Sequence, residues 1–67
     1  MKLDRKKVNL ALARKGWTQV DLAEAYGATR QRIGMILNSR SVTPVTVGKM
    51  SAALEVDPTE ILENSEQ

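Results

Sequence analysis

The sequence contains no cysteine, no histidine and no phenylalanine. Without cysteine it can form no disulfide and perform no thiol chemistry, and without cysteine and histidine the usual zinc sites are excluded. An imidazole general base is excluded as well. These absences argue against an enzyme and against a metal-stabilised module, and they predict a protein with no catalytic residue, no metal and no cofactor.

Long hydrophobic runs are also missing. No stretch approaches the roughly 20 apolar residues needed to span a bilayer, and the basic start is not followed by an apolar core typical of a secretory signal. We therefore predict a cytoplasmic protein with no membrane partner. The 67 residues are enough for one small domain, predicted to span 1–67 with its core at about 4–64 and a frayed C-terminal end.

The charged residues are present in both signs but are unevenly distributed. The net charge is only +2, yet residues 1–49 carry all ten basic side chains and three acids, a net charge of +7. Residues 50–67 carry five acids and no base, a net charge of −5. This division indicates that the first part of the chain faces a polyanion, whereas a scattered, solvated set of charges is the alternative.

Capping signals divide the chain into five short helices. The first covers about 4–15, the second begins at Thr18 and stops at Gly27, and the third covers about 29–37. The fourth begins at Thr43-Pro44 and the last at Asp57-Pro58. The β-branched run from 42 to 47 leaves an extended segment as an alternative to the fourth helix, although Pro44 interrupts it.

Apolar residues at helical spacing predict one shared core. The predicted core residues are Val8, Ala11, Leu12, Leu22, Ala23, Tyr26, Ile33, Ile36, Leu37, Val47, Met50, Leu54, Ile61 and Leu62. The opposite face of the third helix carries Arg30, Gln31, Gly34 and Met35. Two helices joined by a short turn containing glycine, as at 26–29, also predict a helix-turn-helix unit, although small helical bundles contain such corners as well.

The pattern Thr18-Gln19-x-x-Leu22-Ala23-x-x-x-Gly27-x-Thr29-x-x-x-Ile33-x-x-Ile36 resembles the phage repressor and Cro family of DNA-binding domains, also called XRE-like. Further matches are Pro44, Ala53-Leu54-Glu55-Val56 and Ile61-Leu62, so the resemblance covers roughly residues 5–64. It implies an all-α, compact five-helix bundle like the lambda repressor DNA-binding domain. The second helix of such a domain lies across the phosphate backbone, and the third, at about 29–37, enters the major groove.

The resemblance assigns base reading to the exposed face of the third helix. Arg30 and Gln31 occupy the family's first base-reading positions, where Arg can pair with guanine and Gln with adenine. Arg30 could instead reach a phosphate. Gly34 costs a helix roughly 1 kcal/mol relative to alanine, and we hypothesise that it lets the helix approach the bases while Met35 touches a thymine methyl. Alternatively, a neighbouring helix needs the room, or nothing selects the glycine.

Contacts to the DNA backbone are implied on both sides of that helix. Gln19 stands where the family grips a phosphate at the start of its second helix, although Gln19 is also simply a good first-turn residue. Basic side chains at such places give affinity without sequence preference, while solvated surface charge is the alternative for Arg32 and Arg40. The residues predicted to contact the backbone are Thr18, Gln19, Thr29, Arg32, Asn38 and Arg40.

Two functions of different classes remain open at this point. The first is a sequence-specific regulator of transcription that binds double-stranded DNA, repressor- or Cro-like, as a homodimer on a palindromic site. The second is a protein-interaction module with the same fold, an antitoxin or an anti-repressor. In the second case the partner is a toxin or a repressor protein, and the acidic segment from Glu55 to Glu66 is the surface that binds it.

Overall fold

The computed structural model describes residues 1–63, which form four α-helices and a final 3-10 turn. The elements are α1 (Arg5–Lys15), α2 (Gln19–Tyr26), α3 (Arg30–Asn38), α4 (Pro44–Leu54) and the 3-10 turn Pro58–Glu60. No β-strand occurs within this range, which confirms the predicted all-α class. The third helix begins and ends one residue later than the predicted 29–37, and the extended alternative for 42–47 is wrong. The predicted frayed end lies outside the described residues.

The fifth predicted helix is present only as the 3-10 turn. Its start is as predicted, because Asp57 and Glu60 form a capping box. It does not continue, because the backbone groups that follow pair with the N-terminal segment. The Ile61 carbonyl accepts from the Asp4 N–H at 2.8 Å, and the Glu63 N–H donates to the Lys2 carbonyl at 2.9 Å. An isolated antiparallel bridge between Leu3 and Leu62 lies between these two bonds.

Side-chain caps begin each α-helix where the sequence predicts. Thr18 and Asp21 form a reciprocal capping box, in which the Thr18 hydroxyl accepts from the Asp21 N–H at 3.3 Å and the Asp21 carboxylate accepts from the Thr18 N–H at 2.9 Å. The side chains of Asp4, Thr29 and Thr43 accept first-turn N–H bonds in the same way. Such caps satisfy donors that a helix leaves unpaired at its start.

The core is formed by one cluster of aliphatic side chains from all four helices and both terminal segments. Its buried members are Leu3, Val8, Ala11, Leu12, Leu22, Ala23, Ile33, Ile36, Leu37, Val47, Met50, Leu54 and Ile61. All but Leu3 are predicted from helical spacing. Two predicted members, Tyr26 and Leu62, are only partly buried against the cluster. The most extensive helix contacts are those of α2 with α3 and with α4, so α2 fixes where α3 lies.

The lengths of the helices show whether any of them could span a membrane. The longest helices of residues 1–63 have 11 residues. None is long and apolar enough to cross a membrane.

Candidate nucleic-acid interface

The turn between α2 and α3 is closed by glycine and capped by threonine. Gly27 has a φ of 91°, in the left-handed region that a side chain disfavours. The N–H groups of Gly27 and Ala28 both donate to the Ala23 carbonyl at 2.9 Å. Thr29 then opens α3 by accepting from the Arg32 N–H at 3.1 Å. The two helices are thus joined by three residues, and the resulting unit is a helix-turn-helix.

Helix α3 has one buried and one exposed face. Ile33, Ile36 and Leu37 are buried in the core. Arg30, Gln31 and Met35, by contrast, are exposed, and Met35 keeps 59% of its surface accessible. The structure therefore brings the predicted base-reading residues onto one accessible side of α3.

Gly34 lies in the middle of that accessible face. A Cβ added to Gly34 would have no other heavy atom within 4 Å apart from its own helix backbone and chain neighbours. No neighbouring helix of this protein therefore needs the space at Gly34, and that interpretation is wrong. A partner outside the chain, or no selection at all, remains as the reason for this glycine.

The ten basic side chains are not equivalent in the structure. Three of them pair with the acidic C-terminal segment: Lys2 with Glu63 at 3.7 Å, Arg14 with Glu60 at 3.1 Å and Lys15 with Glu55 at 2.7 Å. The hydrogen bond and the charge of Lys15 lower the pKa of the Glu55 carboxyl. In contrast, none of the ion pairs formed within residues 1–63 involves Arg30, Arg32 or Arg40. The positive charge on α3 and the following loop is therefore left without an acidic counterpart in the described part of the chain.

The predicted backbone contacts occupy several elements around α3. Thr18 and Thr29 are exposed N-caps, and Gln19 is the first residue of α2 and is half-buried. Arg32 is exposed on α3, and Arg40 is exposed in the loop before α4. Their positions are compatible with a phosphate on either side of α3, and their contacts with DNA stay predictions.

Asn38, the last residue of α3, has a partner that the sequence does not reveal. Its Oδ1 accepts a hydrogen bond of 2.9 Å from Arg5 Nη1 at the start of α1. The two residues are 33 positions apart in the chain, and no local pattern joins them. Arg5 is therefore the residue of this surface that sequence reasoning misses.

These observations define an all-helical protein built around a helix-turn-helix unit with an exposed, basic third helix. The helix-turn-helix family matches residues 8–61. The chain thus belongs to the XRE-type helix-turn-helix family of DNA-binding regulators, which confirms the resemblance found in the sequence. The family's members are regulatory proteins rather than enzymes.

A solved structure supports the same assignment. The restriction-modification controller protein C.AhdI from Aeromonas hydrophila matches 82% of this chain and 81% of its own, with a TM-score of 0.68 and 28% sequence identity. A search of curated proteins finds no match.

Proposed function

We propose that this protein is a sequence-specific transcription regulator that binds double-stranded DNA with α3 in the major groove. The observation that carries the proposal is the exposed face of α3. Arg30, Gln31 and Met35 point outward there, opposite a buried apolar face. Guanidinium, amide and methyl-binding groups are those that read base edges in the major groove.

The distribution of charge supports the same orientation. The two bases at the end of α1, Arg14 and Lys15, are paired with acids of the C-terminal segment, whereas Arg30, Arg32 and Arg40 have no acidic partner within residues 1–63. DNA phosphates would supply the missing negative charge, with Gln19 and the helix starts adding neutral donors. The likeness to a restriction-modification controller protein supports a regulatory role, and we propose a repressor- or Cro-like mode of binding.

A homodimer on a palindromic site is part of the proposal. One domain of this size offers a limited interface, and family members gain specificity from two half-sites about one helical turn apart. The proposed dimer surface lies at α4 and its flanking loops. Val45 near the start of α4 is 71% exposed, and Val42 and Val56 in the loops before and after α4 are partly buried.

The structure gives less support to the alternative function, that of an antitoxin or an anti-repressor. Its proposed contact surface was the acidic C-terminal segment. Glu55, Glu60 and Glu63 of this segment pair with bases of the same chain, and Asp57 caps the 3-10 turn. A partner would have to displace these internal ion pairs, although exposed ion pairs contribute little to stability.

Selection of bound DNA from a random duplex library, at two salt concentrations, tests the proposed function. We expect a symmetric motif, and we expect log K for the motif to fall linearly with log salt at a slope of about −0.9 for each phosphate contact. A selected but asymmetric motif would support DNA reading and contradict the dimer. If no motif is enriched even at low salt, the proposed function is wrong.

Replacing Gly34 with alanine should separate stability from binding. We expect Gly34→Ala to raise the free energy of unfolding by about 1 kcal/mol, because alanine favours the helix and the added Cβ meets no atom within 4 Å. Binding of the selected motif should weaken, because the same Cβ would face the bases. Thermal unfolding and titration with the motif measure the two effects.

Gly48 provides the matched control for that experiment. It lies inside α4, is exposed, and also has open space where a Cβ would go. Gly48→Ala should therefore stabilise the protein by a similar amount. Because α4 is part of the proposed dimer surface, the two variants are compared on a duplex with a single half-site, where Gly48→Ala should leave binding unchanged and Gly34→Ala should weaken it. If Gly34→Ala binds the motif as well as the parent or better, close approach to DNA is not the reason for this glycine.

A further inference from the structure

The contact between Arg5 and Asn38 joins the start of α1 to the end of α3. Arg5 Nη1 donates to Asn38 Oδ1 at 2.9 Å, and both residues are exposed. The charged residues Lys2, Asp4, Lys6 and Glu63 line the same hollow beside this contact, and Lys2 is paired there with Glu63. An exposed hydrogen bond between long-range partners contributes little to stability, so its placement at the end of the proposed reading helix calls for a different reason.

The chemistry of arginine determines which way the Asn38 amide points. A guanidinium has only donors, whereas an asparagine amide has one accepting oxygen and one donating nitrogen. The oxygen must therefore face Arg5, as it does here. The Nδ2 group is consequently turned away from Arg5, with two N–H donors directed elsewhere.

The position of Asn38 on α3 shows what those donors are near. Asn38 follows Gln31 by seven residues and Gly34 by four, so the three positions lie along one face of the helix. This is the exposed face that also carries Arg30. The Nδ2 group is thus at the C-terminal end of the face that α3 would present to DNA.

We infer that Arg5 is a positioning residue, which holds the Asn38 amide so that Nδ2 donates to a DNA phosphate beside α3. The inference rests on the proposed function. A free, exposed asparagine samples both orientations of its amide, and ordering it on binding costs conformational entropy. The bond from Arg5 orders the amide before DNA arrives, and its positive charge favours an anion nearby.

A double-mutant cycle on binding of the selected motif tests the inference. Asn38→Ala should weaken binding roughly tenfold, since it removes a hydrogen bond to a charged group. Arg5→Ala should weaken binding roughly threefold to tenfold. The double variant should bind more weakly than Asn38→Ala only by the small factor that loss of one positive charge costs, because the rest of the Arg5 effect acts through Asn38.

Lys6→Ala is the matched control. Lys6 follows Arg5, carries the same charge and is exposed, and its side chain makes no hydrogen bond within residues 1–63. Both Arg5→Ala and Lys6→Ala remove one positive charge, so the slope of log K against log salt should change equally in the two variants. Only Arg5→Ala should lose the additional, Asn38-dependent affinity. The thermal midpoint of every variant should remain that of the parent, which separates positioning from a purely structural role.

Each result of the double-mutant cycle supports a different role for Arg5. Additive losses of Arg5 and Asn38, with a salt slope reduced by about 0.9 more in Arg5→Ala than in the control, would mean that Arg5 grips a phosphate directly, and the inference would be overturned. Loss of binding matched by a fall in the thermal midpoint would overturn it in favour of a structural contact. Both results leave the proposed function intact. Failure of the parent protein to select any motif would instead reject the proposed function and this inference with it.

Discussion

Gln31→Ala is expected to reduce the preference for the selected motif over a scrambled duplex by about tenfold to a hundredfold. A bidentate contact between an amide side chain and adenine is worth about 1–3 kcal/mol of discrimination against the wrong base. Gln31 is exposed on α3 and lies outside the core, so the free energy of unfolding should be unchanged. Titration of both duplexes, together with thermal unfolding, measures the two quantities.

Arg30→Ala distinguishes the two interpretations of Arg30. If Arg30 reads a guanine, preference for the motif falls by a similar factor. If it binds a phosphate, affinity for the motif and for the scrambled duplex falls equally, and the salt slope decreases by about 0.9. Because Arg30 has no acidic partner within residues 1–63, neither result is confused with the loss of an internal ion pair.

Arg14→Ala is the control for both variants. Arg14 is an exposed arginine on α1 whose charge is paired with Glu60 at 3.1 Å. An exposed pair of this kind is worth at most about 1 kcal/mol. Its loss should leave the preference for the motif unchanged. If Gln31→Ala, Arg30→Ala and Arg14→Ala all keep the parent's preference, α3 is not the reading helix.

Leu22→Ala should have the largest effect on stability. Leu22 is 0% exposed on α2, the helix that packs against both α3 and α4. Burying a smaller side chain there leaves a cavity, and such substitutions cost about 2–5 kcal/mol. The total stability of a domain this small is only about 3–10 kcal/mol at 0.05–0.15 kcal/mol per residue. At about 4–8 °C per kcal/mol for a domain of this size, we expect the thermal midpoint to fall by about 10–40 °C or the fold to be lost.

Val20→Ala is the matched control on the same helix. Val20 is 48% exposed and is not a member of the buried cluster. Its truncation should change the free energy of unfolding by less than about 0.5 kcal/mol. Equal destabilisation by the two variants would contradict the described orientation of α2. Thermal unfolding followed by circular dichroism provides the comparison.

The starts of the helices could be predicted because their signals are local. A cap such as Thr18 accepts a bond from the N–H of Asp21, three residues away, and the residues between them hold both in place. Helical spacing predicted the buried face of α3 for the same reason, since 3.6 residues per turn place Ile33, Ile36 and Leu37 on one side. The same spacing placed Arg30 and Gln31 on the other side.

The end of the chain shows where local signals were insufficient. The capping box at Asp57 and Glu60 correctly predicted a helical start, but the turn does not continue. The backbone of Ile61 and Glu63 bonds to Asp4 and Lys2 instead. Leu3 is buried by this pairing and was missed, because a residue outside any helical period has no local pattern to mark it.

The sequence by itself determined the helices, most of the core and the family, because each depends on residues a few positions apart or on a fixed motif. It also showed that basic and acidic residues are separated along the chain. Only the tertiary structure decided which charges meet. Lys15 and Arg14 pair with residues 40 and 46 positions away in the chain, and Arg5 and Asn38, which bond to each other, are 33 positions apart. Such distances close only when the helices dock, and that docking leaves the arginines of α3 and its following loop without acidic partners in the described chain.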